Sequence, residues 1–369
     1  MLTTSETPVG VIDLQRVRDN VERVVAYCDQ HGITWRPHVK THKSTRLARL
    51  QLDAGARGLS VATPREAEVM AGVTDDILVA YPVVGGNKLD RLMALPDSVR
   101  LMIGLDSADV LGLVQRAANA ADRRVRILVE IDVGLHRVGL QTPEEAVSLA
   151  GTIRDSDGLE YAGLMFYPGQ IRSPVGTQGD DLLVLSRLLQ TFYDALSAAD
   201  LSPTVVSGGS TPTLWRSHEV SGLTEIRPGT CIFFDREGLA IEAAAREHLA
   251  YTVLATVVSL AVPGQAVVDA GSKALAKEAR GGDEGYGLLL DRPEVVVKAL
   301  SEEHGVLDLS KTDWRPQVGE RVRIVPNHVC VSVNLQDHLL VVDHDRVERW
   351  PLEARGRGAY ATSTTAGAS

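Results

Sequence analysis

The chain has 369 residues, 44% of them hydrophobic and 23% charged, enough to bury a sizeable core in two domains or in one large domain with an appendage. Its 38 basic and 48 acidic residues give a net charge of −10 with no long basic stripe, which argues against nucleic acid and leaves small molecules as the expected partners. The three cysteines, Cys28, Cys231 and Cys330, are too few and too scattered for a disulfide framework, and no apolar run approaches the ~20 residues of a spanning helix or resembles a signal peptide, so no membrane is expected and the cytoplasm is the default.

Pro8 to Asp13 reads as a strand ahead of the first helix pattern, 13 to 30. Short apolar, β-branched runs then recur at 34 to 39, 58 to 61, 77 to 81, 99 to 105, 125 to 131, 159 to 166, 203 to 207 and 224 to 227. Helical patterns at 44 to 54, 64 to 73, 107 to 121, 143 to 155 and 180 to 199 separate many of them, several opened by capping signals: Ser44, Thr63-Pro64, Ser107 and Thr142-Pro143-Glu144-Glu145. Apolar strands alternating with helices imply a parallel sheet covered on the outside. Eight of them imply a (β/α)8 TIM-type barrel over 14 to 238, with an open doubly wound sheet as the alternative.

From about 239 the pattern turns to strands without long helices: 252 to 262, 265 to 269, 294 to 299, 320 to 325, 329 to 335 and 338 to 343. This predicts a second, mainly antiparallel β domain formed by 239 to 360, with 1 to 13 completing it. The closing run 361 to 369 is small and polar and is expected to be a disordered tail.

In a barrel the active site gathers at the carboxyl ends of the strands, and the unusual residues of this chain fall there. Lys40 follows the first strand in Arg36-Pro37-His38-Val39-Lys40-Thr41-His42-Lys43. Most lysines are solvated charges, but one buried at a strand end loses its proton readily and can condense with a carbonyl. Ser207-Gly208-Gly209-Ser210-Thr211 follows the seventh strand and Gly229-Thr230 the eighth, where barrels commonly bind phosphate. Glycines let backbone amides approach an anion, the hydroxyls donate, and a short helix following Thr211 is expected to present its positive end. A lysine facing a phosphate site across one barrel mouth suits pyridoxal 5'-phosphate. Arg137 and Arg227, each after a strand, are placed to reach the cofactor's phenolic oxygen and ring nitrogen, with loop salt bridges as the alternative. In Pro326-Asn327-His328-Val329-Cys330 a strand would project His328 and Cys330 to one face, where imidazole and thiolate favour zinc.

Together these segments, with Asp132-Val133-Gly134, Arg137-Val138-Gly139, Asp269-Ala270-Gly271-Ser272-Lys273-Ala274 and Ser301-Glu302-Glu303-His304-Gly305, resemble the D-threonine aldolase and D-serine dehydratase family of fold-type III pyridoxal phosphate enzymes, relatives of alanine racemase. The resemblance implies a cofactor bound at Lys40, a divalent metal (zinc, manganese or magnesium) at His328 and Cys330, a homodimer, and a lyase acting on D-β-hydroxy-α-amino acids. Retro-aldol cleavage of the D-threonine type is the principal expectation. The alternatives are D-serine or 3-hydroxyaspartate dehydration, racemisation, or cofactor binding without turnover. Where relatives are expected to place a histidine after the aromatic residue of the sixth-strand loop, this chain reads Tyr167-Pro168-Gly169-Gln170, which leaves Tyr167, His42 or metal-bound water as the base.

Overall fold

The computed structural model describes residues 4–279 and 285–360. The expectation for 361 to 369 lies outside the described residues.

Eight parallel strands run in the order Thr34–Trp35, Glu225–Ile226, Val205–Gly208, Leu159–Met165, Val125–Glu130, Arg100–Leu105, Asp76–Val79, Leu59–Val61. An isolated parallel bridge between His38 and Ser60 joins the two ends of this order, giving the TIM-type barrel. Its first strand is much shorter than 34 to 39. Pro37 has no amide hydrogen for a ladder, so the chain leaves the sheet after Trp35 and tightens into a 3-10 turn at Val39–Thr41. The barrel interior holds Leu78, Met102, Leu128, Ala162 and Met165, and Met165 occupies the space that a side chain at Gly104 would take.

Three of the four expected helix caps form, whereas Ser44 precedes its helix without a capping hydrogen bond. Ser107 accepts the amide of Val110, Thr63 that of Glu66, and Thr142 with Glu145 forms a reciprocal capping box. Gly86–Met93 is a helix absent from the sequence reading, because it follows glycines rather than a capping side chain. Arg36 ties the barrel together from within: it donates to Glu225 Oε2 at 3.0 Å and to Asp76 Oδ1 at 2.5 Å, a buried charge with both partners supplied.

The second sheet is mainly antiparallel and has nine strands among the described residues. Tyr251–Ser259 lies at its centre, pairing with Val9–Asp13, Gln265–Val268 and Arg321–Pro326. Val9–Asp13 pairs on its other side with His338–Asp343, in parallel, so the opening strand sits in this sheet and not in the barrel. Gly287–Leu289, Gly305–Asp308 and Arg346–Pro351 are strands the sequence reading missed. The run 329 to 335, expected as a strand, is instead the helix Val329–Asn334. Two of the family-like segments, 269 to 274 and 301 to 305, pack on each other: Ser272 N donates to Ser301 O, and a side chain at Gly271 would collide with Glu302 O.

Candidate active site

A cavity of ≈ 340 Å³ opens at the carboxyl ends of the barrel strands, between them and the start of the Val329–Asn334 helix. Lys40 reaches it from the 3-10 turn, where the His38 ring nitrogen accepts the Lys40 amide at 3.5 Å. Burial, then the cations Lys40, Arg227 and Lys43, hold the His38 imidazole far below its usual pKa, so it adds no charge beside Lys40.

Opposite in sequence but adjacent in space stand Gly209, Ser210, Thr211, Gly229 and Thr230. Gly209 has φ +77°, a conformation suited to glycine, and Ser210 and Thr213 fix the turn by mutual hydrogen bonds. A β-carbon at Gly229 would sit 2.4 Å from His38 O and 2.7 Å from Thr41 Oγ1, so only glycine lets this segment press against the Lys40 turn. That cradle beside a lysine fits a phosphorylated aldehyde.

Ser207 and Gly208, expected in the cradle, lie beneath it. Ser207 Oγ donates to Glu225 Oε1 at 2.6 Å and accepts from Arg227 at 2.5 Å, while Gly208 is packed against the Phe166 ring. Their strand is still inside the sheet at this point, with Ser207 turned toward Glu225 and Arg227 and Gly208, on the opposite face, toward the Phe166 ring. The segment after Thr211 is a six-residue 3-10 turn, Leu214–Glu219, too short to present the positive helix end expected there.

Arg227 is buried at the cavity floor, also donating to Phe166 O at 2.7 Å, and burial lowers its pKa. Arg137 covers the Tyr167 ring, with its guanidinium carbon 4.9 Å from the ring centroid. Its loop is shaped by Asp132, whose Oδ1 accepts the amides of Gly134, Leu135 and His136. Glu130, the last residue of the fifth strand, lines the cavity with Oε2 free of hydrogen bonds; burial raises its pKa against the pull of Arg227 and Arg137. His42 is not at the site. Its ring is fully buried, bonded to Gln51 at 3.0 Å and to the Ser44 amide at 3.2 Å, and burial holds its pKa down to about 4. The 3-10 turn rotates it away from the face that carries Lys40.

The corner expected to hold a metal forms by a different geometry from the one anticipated. His328 is the extended residue preceding the helix, with φ −139° and ψ 114°, and Cys330 stands in the first turn. Both line the cavity. Burial opposes charge on each, but they attract one another: the Cys330 thiol is pulled below its usual pKa by His328, with Thr230 and Thr41 also hydrogen bonding to the sulfur, and His328 is pushed up by Cys330 and Asp235. Asp235, Glu237 and His328 bring three donor atoms within 4.8 Å of one another. Asp235 is already committed, since Oδ1 accepts the Gly238 amide at 3.0 Å and Oδ2 the Val329 amide at 2.9 Å, with His328 Nδ1 at 3.2 Å. A carboxylate on Nδ1 leaves Nε2 as the ligand atom. An imidazole with a thiolate is a donor set that fits zinc.

The sequence reading missed His38, Glu130, Arg172, Asp235 and Glu237, all of which line the cavity. Glu130 carried a usable signal, a carboxylate ending the run Val125-Arg126-Ile127-Leu128-Val129. Asp235 and Glu237 carried none, as they follow a loop of unremarkable pattern.

Residues 12–237 match the family model of the alanine racemase N-terminal domain, and residues 250–342 match a serine dehydratase domain. The chain is 31% identical to D-threonine aldolase from Arthrobacter sp., over 96% of its length and 94% of the relative's. It is 33% identical to D-threo-3-hydroxyaspartate dehydratase from Delftia sp., covering 90% and 92%. The crystal structure of D-threonine aldolase from Filomicrobium marinum superposes with a TM-score of 0.88 at 30% identity, covering 96% of this chain and 97% of that one.

Proposed function

The chain belongs to the family that joins an alanine racemase N-terminal domain to a serine dehydratase domain, and from that premise we propose a lyase dependent on pyridoxal 5'-phosphate and a divalent metal. It acts on D-β-hydroxy-α-amino acids by retro-aldol cleavage of the D-threonine type, releasing glycine and an aldehyde. The observation that carries this reading is that Lys40, the glycine cradle and the His328–Cys330 corner share one cavity.

When bound, the cofactor supplies an electron sink at the substrate nitrogen and the metal a Lewis acid for the β-hydroxyl oxygen. Lys40 offers the amine that tethers the cofactor, and Gly209, Ser210, Thr211, Gly229 and Thr230 hold its phosphate. Arg227 is locked by Ser207 and Phe166 O, which keeps a cation at the cavity floor toward the ring nitrogen. Arg137 is placed toward the phenolic oxygen. Of the side chains expected as the base, Tyr167 lines the cavity while His42 is turned away, so Tyr167 is the protein group placed to receive the β-hydroxyl proton. His328 Nε2 and Cys330 Sγ hold the metal, and Asp235 orients the imidazole.

The His328–Cys330 donor pair and the likeness to D-threo-3-hydroxyaspartate dehydratase favour a second reading, dehydration of D-serine or 3-hydroxyaspartate to a keto acid and ammonia, in which Lys40 removes the α-proton. Incubation with D-threonine, D-phenylserine, D-serine and the 3-hydroxyaspartate stereoisomers, with and without chelator, separates the two. Glycine with aldehyde supports cleavage, and keto acid with ammonia supports dehydration. Activity undiminished after rigorous metal removal contradicts the metal role. The division into a barrel (14 to 238) and a β domain (1 to 13 with 239 to 360), a homodimer and a cytoplasmic location belong to the same proposal. Among the described residues no helix is long and apolar enough to cross a membrane.

A further inference from the structure

The geometry points to Glu237 as a specificity residue that reserves the metal corner for substrates with an uncharged β-substituent, an inference that rests on the lyase reading above. Among the described residues, four lysines and arginines line the cavity: Lys40, Arg137, Arg172 and Arg227. Lys40 is the tether, Arg227 is held by Ser207 and Phe166 O, and Arg137 lies over the Tyr167 ring. Arg172 is the cation tied to the metal corner, and its charge is taken. Its Nε donates to Gly169 O at 3.0 Å, and its guanidinium is ion-paired with Glu237. The other Glu237 oxygen lies 3.8 Å from His328 Nδ1.

A β-hydroxyl held at His328 and Cys330 brings Cβ, which also bears the β-substituent, into the corner that Glu237 and Arg172 line. A methyl or aryl group carries no charge there. A second carboxylate meets Glu237 and Asp235 and finds the nearby guanidinium already paired, which leaves it the metal, shared with the β-hydroxyl and the Cys330 sulfur, as counter-charge. Like charges in a partly buried pocket repel, and a site that discriminates by such repulsion needs no added contact to its preferred substrate.

The test compares kcat/KM for D-phenylserine and for D-threo-3-hydroxyaspartate, together with calorimetric binding of succinate to the holoenzyme and metal content per chain. The wild type is expected to favour D-phenylserine by about tenfold or more and to bind succinate only weakly. Glu237→Gln frees Arg172, so the preference should shift toward the dicarboxylate by about tenfold and succinate binding should tighten; adding Arg172→Gln should erase both gains. Wild-type preference for 3-hydroxyaspartate, or a metal-replete Glu237→Gln protein that binds succinate no better, overturns the proposal. If Glu237→Gln loses metal or fails to fold, Arg172→Gln alone decides: it should worsen dicarboxylate use and succinate binding, and no change in either overturns the role of the pair. Wild-type protein inactive on both amino acids contradicts the lyase reading, while succinate binding still judges Glu237.

Discussion

The two sides of the cavity are built on different principles. The barrel side places Lys40, Arg137, Tyr167 and the glycine cradle on loops that leave parallel strands and are held largely through their own backbone: Gly229 is pressed on His38 O, and the Asp132 carboxylate gathers three loop amides. The metal side places His328 and Cys330 at a helix start, held by the side chains of Asp235, Thr230 and Thr41. Backbone scaffolding makes a site rigid and recognisable, whereas side-chain scaffolding makes it sensitive to single substitutions.

The largest effect is expected on the barrel side. Lys40→Ala should lower turnover by roughly a thousandfold or more and abolish lysine-linked visible absorbance of the cofactor, with folding judged unchanged by circular dichroism. Retained absorbance would mean that another lysine holds the group.

A pH dependence of stability belongs to the same side. The His42 pKa is depressed to about 4 in the folded chain, so between about 6.5 and 4 the unfolded state binds more protons, and stability falls as pH drops through that window. His42 alone accounts for up to about 3 kcal/mol of that loss. His38, also buried and neutral, acts in the same direction. Denaturant midpoints that rise on acidification across this range contradict the burial argument.

On the metal side, Asp235→Asn should weaken metal binding by about 10–100-fold, read by chelator competition, because the imidazole loses its orienting carboxylate. Affinity unchanged in that variant would free His328 from its dependence on Asp235. The smallest effect is expected from Gly229→Ala, where one methyl meets backbone: a destabilisation of about 1–3 kcal/mol, accompanied by weaker cofactor retention on dialysis.

The same contrast explains what could be read in the sequence. Eight apolar runs with caps between them were legible because helix and strand periods are local. Lys40, Gly209, Gly229 and Arg227 followed from the rule that barrels work at strand ends. Ser207 and Gly208 were misplaced by a residue or two, since the point where a strand becomes a loop is set by pairing with Glu225 and Ile226 and not by composition. The pairing of His328 with Cys330 was legible, but its geometry was not: Val329, Val331 and Val333 give 329 to 335 a strand-like pattern, yet the segment packs as a helix, with Val329 and Val333 buried. His42 looked equivalent to Lys40 in sequence and was separated from it by the 3-10 turn. Asp235 and Glu237 became visible only when the segment after the eighth strand met the helix at 329.

The most direct test of the central claim is a crystal structure of the protein soaked with pyridoxal 5'-phosphate and zinc, with anomalous data at the metal edge. The account predicts continuous density from Lys40 Nζ to the cofactor and an anomalous peak about 2.0–2.3 Å from both His328 Nε2 and Cys330 Sγ, in the same cavity. A cofactor joined elsewhere, or a metal bound away from that pair, would contradict it.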